Sequence, residues 1–352
     1  MINRDKRGTL KLLGLSPLAF PSVRLLSAEA ALTRIAFGSC MHQDKPQLIW
    51  DAVLASSPEL FVFLGDNIYG DSDDPVELAK QYQKLAAQPG FVKLRASTDT
   101  IAIWDDHDYG RNDAGSEYPA KEASRQLFHD FWGEPQNSAA RSRADGSYSS
   151  KIYGPAGQRV QVLMPDLRWN RSPLLTVLGV AAHQVRDAAD MGPYMPDPTG
   201  NARLLGEDQW NWLEAEFNKP AEVRIFSSSI QVLANFTGWE TWANFPVERD
   251  RLLRLLDSAS DSINLIISGD VHWCEYSLLQ RAGNVFAHAE LTSSGLTETW
   301  DKISPNRHRV GQAFAVPNFG LIEIDWSGSH PTLQLSVRNE SSALLIQHTY
   351  PI

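Results

Sequence analysis

The chain has 352 residues, 43% of them hydrophobic and 21% charged, and a formal net charge of −10. This is ordinary material for a large packed core, without an internal repeat or a low-complexity tract. The acidic balance argues against long nucleic acid as a partner, because phosphate backbones demand a basic footprint. A small phosphate ester held in a local basic or metal-lined pocket stays compatible with it.

Residues 1–30 differ from the rest. Asp5-Lys6-Arg7-Gly8-Thr9-Leu10-Lys11 precedes the short apolar run Leu12 to Phe20, and Ala28-Glu29-Ala30 offers a small-x-small cleavage site. The layout is that of an export signal, similar to a degenerate twin-arginine signal, which predicts a periplasmic or extracellular protein. Pro17 and Pro21 interrupt the run, and it is too short for a permanent membrane span. Residues 31–352, with no Pro/Ser/Gly-rich linker, are expected to form a single catalytic domain.

Along that domain, apolar runs end repeatedly in chemistry-bearing residues. Thr33 to Ser39 predicts a strand that stops at Cys40. Lys45 to Leu54 predicts a helix with Leu48, Ile49, Ala52 and Val53 on one face. A second strand, Glu59 to Leu64, ends at Gly65-Asp66-Asn67-Ile68-Tyr69. Asp74 to Ala87 predicts a helix opened by Pro75. A third strand, Thr100 to Trp104, runs into Asp105-Asp106-His107-Asp108 and then a polar loop.

A helix is expected over Ala120–Trp132, and strands over Ser147–Tyr153 and Arg159–Pro165, the latter followed by Asp166-Leu167-Arg168. Residues 172–201, rich in Pro and Gly, read as an irregular lid. Next come a helix from Gly206, a strand Val223–Phe226, an aromatic loop through Trp239, Trp242 and Phe245, and a helix Val247–Ala259. A fourth strand, Asn264 to Gly269, ends in Asp270-Val271-His272. From there the chain is strand-rich to its end, as a second sheet and its edge would be. The class is α/β, with buried strands delivering polar side chains at their carboxyl ends.

Cys40, Asp66, Tyr69 and His272 together offer sulfur, two oxygens and an imidazole nitrogen. Phenolate binds well only to a strongly acidic ion, so the set suits ferric iron better than zinc, magnesium or calcium. Asp66 has a second oxygen with which to bridge to another ion, for which Asp106 and Asp270 supply carboxylates. An all-oxygen site favours Ca2+, then Mg2+ or Mn2+. Asp105 reads as a turn residue. Cys40 and Cys274 are the only cysteines; in an exported protein they could instead form a disulfide.

In order, these blocks resemble the metallophosphoesterases, whose ligands read D-x-H, G-D-x-x-D, G-N-H-D/E, H and G-H-x-H. The departures are Cys40 in the first block, Tyr69 in the second, Asp106 for Asn in the third and Asp270 for His in the last. Together they resemble the PhoD-type alkaline phosphatase/phosphodiesterase branch. Phe37-Gly38-Ser39-Cys40, Asp166-Leu167-Arg168, Gln209 to Leu213, Pro246-Val247-Glu248-Arg249 and Glu290 to Ser294 agree with it.

The resemblance implies a four-layer α/β/β/α sandwich with two mixed sheets. It implies Fe3+ held by Cys40, Asp66, Tyr69 and His272, and Ca2+ held by Asp66, Asp106 and Asp270. The reaction would be hydrolysis of phosphoric mono- or diesters by a two-metal-activated hydroxide. His107 would protonate the leaving oxygen and Arg168 would neutralise phosphoryl oxygens, with Arg168 alternatively paired to Asp166. Trp239, Trp242 and Phe245 either wall the leaving group or pack in the core. The superfamily's lone His before the last block has no counterpart at Ser227–Ser229, and Glu240 and Ala243 stand at the usual acid positions of the aromatic loop. A monomer acting on a small phosphate ester is the expectation. Two other readings stay open here: a thiol hydrolase using Cys40 as nucleophile, and a silent metal- or phosphate-binding module.

Overall fold

A computed structural model describes residues 30–283 and 287–351. The expected signal over 1–30 lies, but for its last residue, outside them. Fourteen strands are present among the described residues. In chain order they are β1 (Arg34–Gly38), β2 (Leu60–Leu64), β3 (Asp99–Ile103), β4 (Ser149–Tyr153), β5 (Val160–Met164), β6 (Leu175–Thr176), β7 (Tyr194–Met195), β8 (Val223–Ser228), β9 (Ile263–Ser268), β10 (Cys274–Leu279), β11 (His288–Ser293), β12 (Asn318–Asp325), β13 (Thr332–Asn339) and β14 (Leu344–Tyr350). The helices are α1 (Ile49–Ala55), α2 (Pro75–Ala86), α3 (Pro89–Ser97), α4 (Asp106–Tyr109), α5 (Lys121–Trp132), α6 (Val180–Asp187), α7 (Glu207–Phe217) and α8 (Pro246–Ser258).

Two six-stranded mixed sheets run β14-β13-β12-β1-β2-β3 and β10-β11-β9-β8-β5-β4. β2 and β5 are buried at every position, because each sheet is covered on both faces and both side-chain rows must be apolar. One row of β1 and β2 (Phe37, Val62, Leu64) meets Val162, Ile225 and Leu265 of the other sheet between the layers. The opposite row (Ala36, Phe61, Phe63) packs under α1, α2, α3 and α5 through Trp50, Tyr82, Phe91 and Phe131. Leu163, Phe226 and Ile266 pack in the same way under α7 and α8, through Trp210 and Leu252. Four layers, α/β/β/α, result, as the family resemblance implied.

The strand-rich end departs from expectation. Only β10 and β11 continue the second sheet; β12, β13 and β14 cross back, and β12 pairs antiparallel with β1. Otherwise β1 would present an unpaired edge beside the site. Two helices differ as well. α1 begins at Ile49 rather than Lys45, since Pro46 disfavours helical backbone at the residue before it. A helix not expected from the sequence, α3, opens with Pro89 at its first turn. Asp74 caps α2, its carboxylate accepting from Val76 N at 2.9 Å.

Candidate metal centre

β1, β2 and β3 of one sheet are parallel, as are β9 and β8 of the other, so their carboxyl ends share one rim. Immediately past those ends the chain is forced into an unusual backbone. Cys40 (φ 60°), Asp66 (φ 50°), Asp270 (φ 71°) and His272 (φ 65°) are all left-handed. Non-glycine residues rarely adopt this conformation, and it is retained where surrounding structure dictates it, commonly at functional sites. Gly65, at φ 98°, has no alternative: a Cβ there would lie 2.5 Å from the Cβ of Asp105. That close approach brings the β2 and β3 blocks together. Met41 N donates to Asp66 O at 2.9 Å and His272 N to Ser294 Oγ at 2.8 Å, fixing the other two blocks.

Eight side chains converge on this rim. Cys40 Sγ lies 3.5 Å from Asp66 Oδ2, which is also 3.5 Å from the Tyr69 hydroxyl; that hydroxyl lies 3.2 Å from His272 Nε2. Ligand atoms of Cys40, Asp66 and His272 lie within 4.8 Å of one another, as do those of Asp66, Asp106 and His107 and those of Asp105, Asp106 and Asp270. Asp66 belongs to both sides, as a bridging carboxylate must.

The electrostatics fit cations. Asp66 is buried and Asp270 half-buried, and neither carboxylate makes an ion pair with lysine or arginine among the described residues. Burial pushes both carboxyls well above the usual range, and neighbouring acids add to this. Burial likewise lifts the Tyr69 phenol, helped by Cys40 and Asp66, and pushes the Cys40 thiol up to about 12. Burial lowers His272 to about 4, leaving a neutral imidazole with a free electron pair. Asp106 is the exception. Burial opposes its ionisation, but His107, Arg168 and the Asp113 N–H outweigh it, holding the carboxyl below the usual range. A fully buried thiol with a raised pKa lacks what a thiolate nucleophile needs. Both cysteines are free, and Cys274 is occupied with Phe314 O at 3.5 Å.

Arg168 is wholly buried. Its guanidinium pairs with Asp105 at 2.5 Å and Glu240 at 2.6 Å and approaches Asp106 at 3.9 Å. Only its backbone N–H reaches Asp166, at 2.9 Å, so the expected side-chain pair with Asp166 is replaced by Asp105 and Glu240. Asp105 is therefore more than a turn residue. Its Oδ1 also accepts from Ser229 Oγ at 2.6 Å, while its Oδ2 is buried with no hydrogen-bond partner. An orphaned buried carboxylate oxygen beside Asp106 and Asp270 is what a cation-binding group requires.

His107 Nδ1 contacts Asp71 Oδ1 at 2.7 Å, and its ring leans on Tyr69 with centroids 4.3 Å apart. Asp71 was not singled out in the sequence, although it follows Tyr69 by two positions. His42, two residues past Cys40, stacks on the other face of Tyr69 with centroids 5.0 Å apart. Trp242 and Phe245 lie in the core beneath the second sheet rather than around the site, while Trp239 is half-buried with its edge toward Trp300.

Solved structures share this architecture. PhoD superimposes with a TM-score of 0.64 at 15% identity, over 94% of this chain and 74% of that one. A dimetal phosphatase from Danio rerio gives 0.51 at 14%, over 92% and 99%. GAP50, titled the anchor in the inner membrane complex of Plasmodium, gives 0.56 at 14%, over 92% and 90%. At such identities the likeness speaks for the fold. No curated protein matches the chain in sequence. The model of the PhoD-like phosphatases, however, matches residues 35–328, a span that takes in all four strand-end blocks, and the chain belongs to the PhoD-like phosphatase family.

Proposed function

We propose that this protein is an exported metal-dependent hydrolase of small phosphoric esters, monoesters or diesters, with Cys40, Asp66, Tyr69 and His272 holding Fe3+ and Asp66, Asp106 and Asp270 holding Ca2+, Mg2+ or Mn2+. The observation that carries this reading is the convergence of four strand ends on Asp66, with a soft mixed-donor set on one side and carboxylates on the other. When bound, such a pair supplies Lewis-acid polarisation of a phosphoryl oxygen and lowers the pKa of a water.

The chain's own residues do the rest. His107, oriented through Nδ1 by Asp71, presents Nε2 to the leaving oxygen and donates a proton there. Arg168, with both flanks of its guanidinium occupied by acids, positions Asp105 and Asp106 rather than touching substrate. The half-buried Trp239 packs beside Gly192 of the 172–201 segment and beside Trp300. Lys6-Arg7 and the short apolar run after it support export, and no helix of the described residues is long and apolar enough to cross a membrane.

Purified protein is expected to contain iron and a second divalent ion, and to hydrolyse p-nitrophenyl phosphate or bis(p-nitrophenyl) phosphate. Chelation should abolish turnover. A visible tyrosinate-to-iron band should be present and should bleach or shift in Tyr69→Phe. Full turnover by chelated protein would sink the reading.

A further inference from the structure

The chain between residues 172 and 201, expected to be irregular, carries β6, α6 and β7, and β7 reaches the carboxylate half of the site. The Tyr194 hydroxyl donates to Asp113 Oδ2 at 2.5 Å. In turn, the backbone N–H of Asp113 donates to Asp106 Oδ2 at 2.6 Å. Asp113 is left-handed, at φ 55°, so its N–H points where it does only because the loop is held. The holding groups are few: Tyr194 and Asn112 Nδ2 on its carboxylate, and Arg171 Nη2 on its carbonyl.

Tyr194 is itself fixed from outside the site. Its N–H donates to Gly238 O at 2.7 Å, and Gly192 N donates to Thr237 O at 3.0 Å. Two glycines allow this contact, since a Cβ at Gly192 would lie 2.4 Å from Gly238 O and one at Gly238 would lie 2.3 Å from Gly192 O. Arg186, on α6, closes the arrangement by donating to Gly192 O at 3.0 Å and to Tyr194 O. α6 buries none of its residues, so β7, not packing of the helix, ties the segment down.

We propose that Tyr194 is a positioning residue for the second cation: through Asp113 it sets the direction of the Asp106 carboxylate, so the state of the 172–201 segment is felt at the carboxylate half and not at the Cys40–Tyr69–His272 half. The proposal rests on the hydrolase reading above and adds a residue to it. Partners that orient a ligating carboxylate are costly to lose even though they never touch the ion.

The test is calorimetric titration of the metal-depleted full chain with Ca2+ and with Mn2+. Tyr194→Phe removes one oxygen and is expected to weaken binding at the second site roughly 10-fold, the lower end for loss of an orienting partner. Arg186→Ala, outside the site, should weaken it in the same direction. Tyr148→Phe, which deletes a hydroxyl bonded to Asp145 instead, should leave it unchanged. In the Tyr194→Phe enzyme, raised Mn2+ should restore kcat on bis(p-nitrophenyl) phosphate, a recovery that a merely structural lesion does not give. Wild-type affinity in both Tyr194→Phe and Arg186→Ala overturns the proposal alone. Failure of the wild-type chain to bind either ion or turn over the ester overturns it together with the reading on which it rests.

Discussion

The two halves of the site are built on different principles. On one side Cys40, Asp66 and His272 stand on left-handed residues beyond strand ends, with Tyr69 beside them, and no arginine or lysine of the described chain pairs with their donor atoms. On the other, Asp106 opens the short helix α4 and keeps the company of His107, Arg168 and the Asp113 N–H. The mixed-donor half therefore leaves its charge without a lysine or arginine counterpart, whereas Asp106 in the carboxylate half has its own compensation; Asp270, left-handed and raised like Asp66, resembles the first half. Such a division matches the chemistry of the donors. A tightly held ion can be enforced by strained backbone, while an exchangeable, hard cation is better served by a carboxylate that stays ionised without it, as Asp106 does.

The sharpest way to break this comparison is at Asp66, which serves both halves. Asp66→Asn is expected to lower metal affinity at least ~100-fold, beyond what losing an orienting partner costs, and to abolish turnover. Metal-free protein should respond in the opposite sense. It buries Asp66 with no lysine or arginine partner, and burial outweighs the attraction of the neighbouring His107, so the amide should stabilise it by about 1–2 kcal/mol, measured as a higher urea midpoint. A metal-free Asp66→Asn chain less stable than wild type would remove the idea that this half is uncompensated.

Arg168→Met tests the other half with the opposite sign. It leaves Asp105 buried without an ion-pair partner and Glu240 held by Arg171 alone, at 2.9 Å, and removing one partner of a buried pair typically costs about 3–5 kcal/mol. Denaturant unfolding should report that loss with or without metal. A change below 1 kcal/mol would mean that Arg168 meets solvent or substrate rather than the two acids.

The strand ends were legible because strands covered on both faces read as unbroken apolar runs, and a carboxylate, thiol or imidazole closing such a run stands out. Cys40, Asp66, Asp106, Asp270 and His272 all carry that mark. Contacts made across long separations had none. Glu240 meets Arg168 from 72 residues away, Ser229 meets Asp105 from 124, and Tyr194 meets Asp113 from 81. The return of β12 to β1 was hidden for a related reason: alternation says that a segment is a strand but not which edge it joins. Trp242 and Phe245 could be read either way because a loop rich in rings looks the same whether it walls a pocket or plugs a core; they plug the core. The thiol-nucleophile reading, open on sequence, fails on burial, which no spacing of residues reveals.

The smallest expected effect concerns neither half, and for that reason calibrates both. His129 on α5 is buried, its Nε2 3.1 Å from Ala140 O and 2.8 Å from Ser147 Oγ. Burial lowers its pKa to about 4, with Arg141 acting in the same direction. The folded value lies below the unfolded one of 6.5, so the unfolded chain takes up this proton first as the solution is acidified. Stability should be unaffected by His129 above pH 6.5 and should fall between pH 6.5 and about 4, by at most about 3 kcal/mol. His129→Gln, an uncharged side chain, should flatten that part of a pH–urea midpoint profile. If the wild-type and His129→Gln profiles stay parallel across the window, the acid sensitivity belongs to the buried carboxylates instead, and the contrast between the two halves has to be redrawn from their titration.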